Sequence, residues 1–287
     1  MDEYRLKRNA GYDTLQIRTY ENEDGSGLPV LKFPALEKLA FAEHCFTMRQ
    51  GGVSEGVYAS MNLSYARGDD PEHVRQNYAR ITRLFHSDPD HVVVTRHEHG
   101  TRVIRIDGPG EPEPLDMRYD GMVTNVPGIV LCALAADCLT VVFADPVQKA
   151  VGICHSGWKG TLGRISREVI RRMQEEYGSR PEDIVCGIGP SVCGECYEIN
   201  DEIAHQFMEG YPGQASGFLV DRHNGHQLLD LRKACAASLK ECGVKTVLVS
   251  DLCTMENPDY LFSHRLMGNA RGNIGALIGI KEEIWLK

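Results

Sequence analysis

Three short segments of this 287-residue sequence carry side chains able to hold a metal, an anion or a reacting substrate. His97-Glu98-His99-Gly100 follows the strand-like run 91–95. With a side-chain period of two, both histidines project to one face and Glu98 to the other, while Gly100 lets the backbone turn sharply beside a site. Ala135-Ala136-Asp137-Cys138 closes one apolar run and opens another, setting a carboxylate and a thiol in chain that is expected to be buried. A buried carboxylate needs a partner, so Asp137 either holds a turn through backbone amides or joins the chemistry of Cys138. The third segment, Cys154-His155-Ser156-Gly157-Trp158-Lys159-Gly160, lies between a strand-like run and an amphipathic helix. Its glycines, Lys159 and the amides of a helix N-terminus form a candidate anion cradle, and His155 stands at the strand's end.

His99, Cys138 and His155 thus make a two-His, one-Cys set drawn from three strands. Three protein ligands with a fourth position open is the arrangement of a catalytic Zn²⁺, and the same donors suit Cu²⁺, which the Irving–Williams order favours. Two other uses of these side chains stay open. Cys138 could be a nucleophile with His155 as its base, or the trio could hold a structural metal in a binding protein without turnover. Cys193-Gly194-Glu195-Cys196 is a further C-x-x-C pair. No second pair at zinc-ribbon spacing accompanies it and no thioredoxin-like context surrounds it, so its role is unassigned.

The elements that must position these residues can be read from periodicity and caps. Asp70-Pro71 offers an N-cap and a proline at the first helical position, followed by Val74, Tyr78, Ile81 and Phe85 at helical spacing. After Gly160, a single stripe of Leu162, Ile165, Val169, Met173 and Tyr177 predicts one helix, stopped by Gly178 and Pro181. Asn200 and Asp230 cap two more, the second stopped by Gly243. Strand-like runs are expected at 91–95, 103–106, 129–134, 141–143, 151–154, 184–185 and 246–249. Without strict βαβ alternation, this mixture favours an α+β architecture of mixed sheets packed with helices. The breaker cluster 107–114 reads as a long loop rather than a boundary, so one domain is expected over residues 1–287, with 1–37 as an N-terminal lead-in.

Composition narrows the class. Lys and Arg number 31 against 40 Asp and Glu, a formal charge of −9 that disfavours nucleic acid and anionic membranes as partners. The charged N-terminus has no apolar signal region after it, and the apolar stretch 128–144 is broken by Asp137 and Thr140, which fits buried strands better than a membrane span. A cytoplasmic location is expected, where most of the ten cysteines act as small buried hydrophobes.

The chain resembles the multicopper polyphenol oxidase, or laccase-domain, family, which includes bacterial purine nucleoside phosphorylases and the peptidoglycan editing factor. The resemblance rests on Met48-Arg49-Gln50-Gly51-Gly52-Val53-Ser54, Met61-Asn62-Leu63, His97-Glu98-His99-Gly100, Asp120-Gly121-Met122-Val123-Thr124, Ala136-Asp137-Cys138, His155-Ser156-Gly157-Trp158-Lys159-Gly160, Gly187-Ile188-Gly189-Pro190, Cys196-Tyr197-Glu198 and Phe262-Ser263-His264-Arg265. It implies that His99, Cys138 and His155 are the metal ligands. His97 stands where the family usually has Gln, Ser156 where it has Ala, and Lys159 where it has Arg. The activity implied is phosphorolysis of adenosine, inosine and methylthioadenosine to base and sugar 1-phosphate, with adenosine deamination served by a zinc-activated water. Asp137 would orient a ligand or shuttle a proton. Arg49, Lys159, Gly157 and Arg265 are candidates to hold phosphate, and Asn62 to bond ribose or base. A Cys/His hydrolase editing peptidoglycan precursors and a copper-binding polyphenol oxidase are the other activities the resemblance carries.

Overall fold

Strands of alternating pattern, whose odd and even residues enter different cores, organise the protein. The computed structural model describes residues 4–109, 118–222 and 225–282. Its strands are β1 (Gln16–Glu21), β2 (Gly27–Lys32), β3 (Ala42–Thr47), β4 (Val92–Val94) and β5 (Val103–Arg105). They continue with β6 (Gly121–Thr124), β7 (Val130–Ala135), β8 (Leu139–Asp145), β9 (Ala150–Ser156) and β10 (Val185–Ile188). The last are β11 (Glu198–Asn200), β12 (Leu219–Asp221), β13 (His226–Leu229), β14 (Thr246–Val249) and β15 (Ile274–Ile280). The helices are α1 (Pro34–Glu37), α2 (Pro71–Thr82), α3 (Trp158–Leu162), α4 (Ile165–Tyr177), α5 (Asp201–Gly210), α6 (Leu231–Glu241) and α7 (His264–Met267).

One six-stranded sheet runs β1-β2-β3-β15-β7-β4, a second runs β14-β10-β8-β9-β6-β5, and β11-β13-β12 form a small third sheet. The β4–β7, β5–β6 and β10–β14 pairs are parallel, whereas β8–β9 and β15–β7 are antiparallel, so the sheets are mixed as expected. Leu131 and Ala133 of β7 and Ala276 and Ile278 of β15 meet Val142, Ala144, Val151 and Ile153 of β8 and β9 between the large sheets. The alternate residues Val141, Phe143 and Cys154 lie under Val169 and Met173 of α4 and Leu239 of α6. On the far side, Val130, Cys132 and Leu277 lie under Val74, Tyr78 and Ile81 of α2. The result is helix, sheet, sheet, helix. Full burial of each valine, leucine, isoleucine or methionine among these contributes about 1.5–3 kcal/mol.

The expected caps form. Asp70 accepts from the Glu72 amide, Asn200 from Ile203, and Asp230 from both Arg232 and Lys233. Gly178, left-handed at φ 70°, closes α4. The stripe 162–177, in contrast, is two helices rather than one. Gly163 and Arg164, the latter left-handed at φ 61°, separate α3 from α4. Two contacts account for the break. A Cβ on Gly163 would lie 2.7 Å from Thr101 Cγ2, so α3 sits hard against the loop that follows His99. The turn at Arg164 carries its guanidinium to the Gly210 carbonyl at 3.0 Å and over the Tyr211 ring.

Within the expected lead-in, residues 16–32 supply β1 and β2 of the first sheet, and residues 34–37 form α1. The apolar stretch 128–144 is β7 and β8 joined by a turn, which carries the chain from one large sheet to the other. No helix among the described residues is long and apolar enough to cross a membrane. Within the breaker cluster, Gly110–Pro114 lie outside the described residues.

Candidate metal centre

Asp120, immediately before β6, builds the floor of the site. Its carboxylate accepts from the backbone amides of His99 (3.0 Å), Gly100 (2.8 Å) and Glu98 (3.2 Å). That bond set holds a loop, not a strand end: β4 stops at Val94, and His99 sits at φ 61°. The same carboxylate lies 2.9 Å from His155 Nδ1, and the Asp120 carbonyl takes the His155 amide at 2.7 Å. With Nδ1–H bonded to Asp120, Nε2 of His155 is left as its ligand atom. Although burial opposes ionisation, these donors keep the Asp120 carboxyl below the ordinary range.

Cys138 enters from the turn between β7 and β8. Asp137, left-handed at φ 89°, fixes that turn: its carboxylate accepts from the Thr254 hydroxyl and the Arg265 amide, and its carbonyl from the Val192 amide. Of the two uses open to Asp137, the holding of local structure is the one these bonds display. His155 arrives on β9. The ligand atoms of His99, Cys138 and His155 all lie within 4.8 Å of one another, close enough for one ion with bonds of about 2.0–2.3 Å. Gly157 makes room for them, because a Cβ there would meet His99 Cδ2 at 2.9 Å and Cys138 Sγ at 3.2 Å.

Electrostatics agree with a cation site. Burial alone would raise the Cys138 thiol, but His155 and His99 outweigh it and bring it to about 6. Burial would likewise lower His155, yet the Cys138 thiolate and Asp120 hold it up at about 9. A thiolate and two imidazoles are the forms that ligate soft divalent metals, and an ion competes for the place of the shared proton. His97 lies outside this ligand group. Its ring stacks on that of His155 at 4.4 Å and 7°, burial and then His155 push it well below its usual value, and its buried Nε2 bonds nothing among the described residues.

The trio opens into a cavity of about 470 Å³ whose wall includes Arg67, Arg96, His97, His264, Arg271 and Asn273. Arg271 is buried, and Nη1 bonds only neutral oxygens, the Gly272 carbonyl and the Asn273 side-chain amide. Its Nε is buried without a partner. Burial, then the neighbouring Arg67, bring its pKa down to about 10, so it stays charged near neutrality. Asp137 and Cys138 act on it as nearby negative charges, but its Nη1 hydrogen bonds among the described residues go to neutral oxygens, which leaves it able to take a bound anion.

Other residues singled out in the sequence fall elsewhere. Arg49 gives Nε to the Ala59 carbonyl (2.7 Å) and Nη1 to that of Pro258 (2.9 Å), and it does not line the cavity. Asn62 is fully buried and spends its amide on Ser64, Asp69 and Asn273, which leaves nothing for ribose or base. Lys159 is exposed over the Trp158 ring, and Arg265 is exposed over Tyr197. The cations on the cavity wall are Arg67, Arg96 and Arg271 instead. Asp120 lies in the segment 120–124 that carries part of the resemblance, but residue type alone assigned it no role. Arg67 and Arg271 had no local signal, because their meeting depends on Asn273 lying against Leu63 and against Asn62, 211 positions away in the chain.

A sequence model of the family described as multi-copper polyphenol oxidoreductase laccase matches residues 43–281. A purine nucleoside phosphorylase of Deinococcus radiodurans is 37% identical over 254 residues, covering 88% of this chain and 94% of that one. The human purine nucleoside phosphorylase LACC1 is also 37% identical, over 83% of this chain and 56% of its own length. The crystal structure of YlmD from Geobacillus stearothermophilus superposes with a TM-score of 0.83 at 27% identity, covering 92% of this chain and all of that one. The chain belongs to the laccase-like multi-copper polyphenol oxidoreductase family.

Proposed function

We propose that this protein is a metal-dependent purine nucleoside phosphorylase, acting on adenosine, inosine and methylthioadenosine, with adenosine deamination as a second activity of the same site. One observation carries the reading: a His–Cys–His ligand set shares a cavity with Arg67 and with the buried Arg271, whose Nη1 hydrogen-bonds neutral oxygens. The names of the relatives point to the same reaction class. Zn²⁺ is the ion proposed, with Cu²⁺ as its competitor for the same donors; when bound, it supplies Lewis-acid polarisation at its open position.

The chain's own residues divide the remaining work. Arg271 and Arg67 hold phosphate against the sugar carbon and offset its charge. His97, kept neutral, presents its unbonded Nε2 as an acceptor for a purine N–H. Asp120 locks the tautomer of His155, and Asp137 locks the Cys138 turn against α7. Residues 1–287 act as one catalytic domain in this reading, with small-molecule substrates and a cytoplasmic setting.

Incubating the protein with adenosine, with and without phosphate and with and without a chelator, tests the proposal by chromatography. Adenine that needs both phosphate and metal is expected, with inosine as the deamination product. No consumption of adenosine by zinc-loaded protein would overturn it. A second reading follows from the Cys138 thiolate paired with His155: a thiol hydrolase acting on peptidoglycan precursors. It predicts chelator-resistant turnover that alkylation of Cys138 abolishes.

A further inference from the structure

The C-x-x-C pair that the sequence left unassigned is not alone in space. The sulfurs of Cys193, Cys196 and Cys253 and a carboxylate oxygen of Glu256 all lie within 4.8 Å of one another. These residues are separate from the His99–Cys138–His155 trio. We propose that this Cys₃Glu cluster is a second metal site, binding one Zn²⁺ as a structural cross-link.

Four features support it. First, tetrahedral Zn–S bonds of ~2.3 Å place ligand atoms ~3.8 Å apart, so side chains already inside 4.8 Å need only a small contraction. Second, the backbone is shaped as a knuckle: the amides of Cys196 (3.0 Å) and Tyr197 (2.9 Å) turn back to the Cys193 carbonyl, and the Cys193 amide donates to Cys253 Sγ at 3.3 Å. An amide aimed at a sulfur stabilises thiolate more than thiol. Third, Lys7 pairs with Glu256, and Asn9 Nδ2 donates to its other oxygen at 2.9 Å, which orients the carboxylate and offsets negative charge. Fourth, a groove lined by Lys7, Cys193, Gly194, Glu195 and Glu256 gives a path of entry from solvent.

Four protein ligands leave no open coordination position, which is the mark of a structural rather than a catalytic zinc. Binding forms three Zn–S bonds and one Zn–O bond and releases to solvent the protons held by the three thiols. The ion would tie the 193–196 turn to the 251–257 loop, which also supplies Thr254 to Asp137. The second site therefore braces the turn that presents Cys138.

Metal content of the dialysed full chain, held under a non-chelating reductant after exposure to Zn²⁺ alone, tests this. About two ions per chain are expected for the parent, about one for Cys196→Ser, and about one for the double variant His99→Ala, Cys138→Ser. If Cys196→Ser fails to fold, Co²⁺ loading of the double variant decides: intense sulfur-to-cobalt charge transfer is expected from the remaining cluster. One ion in the parent and none in the double variant would overturn the proposal. So would protein isolated without reductant that has lost two mass units to a Cys193–Cys196 or Cys193–Cys253 disulfide and still binds no second ion once reduced, which would make the cluster a redox pair.

Discussion

Asp120 and Arg271 carry the sharpest consequences at the scale of single residues. Asp120 joins the His99 loop to the His155 ring, so Asp120→Asn should weaken metal binding by about 10- to 100-fold, read by competition with a chromogenic chelator. An unchanged affinity would deny the carboxylate its orienting part. Gly157→Ala should do similar harm by a different route, since its methyl would press on His99 and Cys138. Arg271→Gln removes a charge-assisted contact of roughly 2 kcal/mol, hence a rise of about 30-fold in KM for phosphate with little change in KM for the nucleoside. Arg271→Lys should restore only part of this, because an ammonium cannot reproduce the guanidinium fork. Steady-state kinetics with each substrate varied in turn separate these outcomes, and equal rises in both KM values would argue against phosphate at Arg271. The grouping of His99, Cys138 and His155 was legible from residue type, although His99 lies on a loop and Cys138 on a turn rather than at strand ends. Arg49 and Asn62 were misleading for a physical reason: polar residues near a site often hold loops, and a sequence does not reveal which carbonyls they face.

At the scale of elements, the break between α3 and α4 is the feature to probe. Gly163→Ala keeps an acceptable backbone conformation but drives a methyl into Thr101, an overpacking worth about 1–3 kcal/mol. Thr101→Ser deletes the obstructing Cγ2, so the pair together should recover stability that Gly163→Ala alone loses, as urea denaturation would show. Failure of the second change to rescue the first would mean that the helix break has another origin. The capped helices were readable because Asp70, Asn200 and Asp230 act on amides two or three residues away. The buried runs that became β4, β7, β8 and β9 were readable from their continuous apolar character. The pair β1 and β2 was not, since β1 alternates charged and partly exposed residues, and β15 was masked by its glycines. The helix break escaped too, because periodicity records which side of a helix is apolar and says nothing of the loop beneath it.

For the whole molecule, acid sensitivity should be traceable in part to His44 on β3. Burial first, then Lys32 and Lys281, lower it to about 3, and its Nε2 accepts from the Phe33 amide. The unfolded chain takes up a proton near pH 6.5 and the native chain does not, so stability falls as pH drops through that window. Between pH 6.5 and 5 the loss from this group is about 2 kcal/mol. His44→Gln keeps an acceptor without the titration, and its stability curve should be flatter than the parent's by that amount; parallel curves would clear His44. The order of the first sheet bears on how the chain folds. β15 follows every other strand along the chain yet inserts between β3 and β7, bonding to both. Until it arrives, those two neighbours present unpaired ladders across a gap, and the pairing that closes it joins segments far apart in sequence. Such closure is slow and aggregation-exposed. During synthesis the first sheet therefore stays open until β15 has left the ribosome, and this is the interval in which a chaperone would serve the chain.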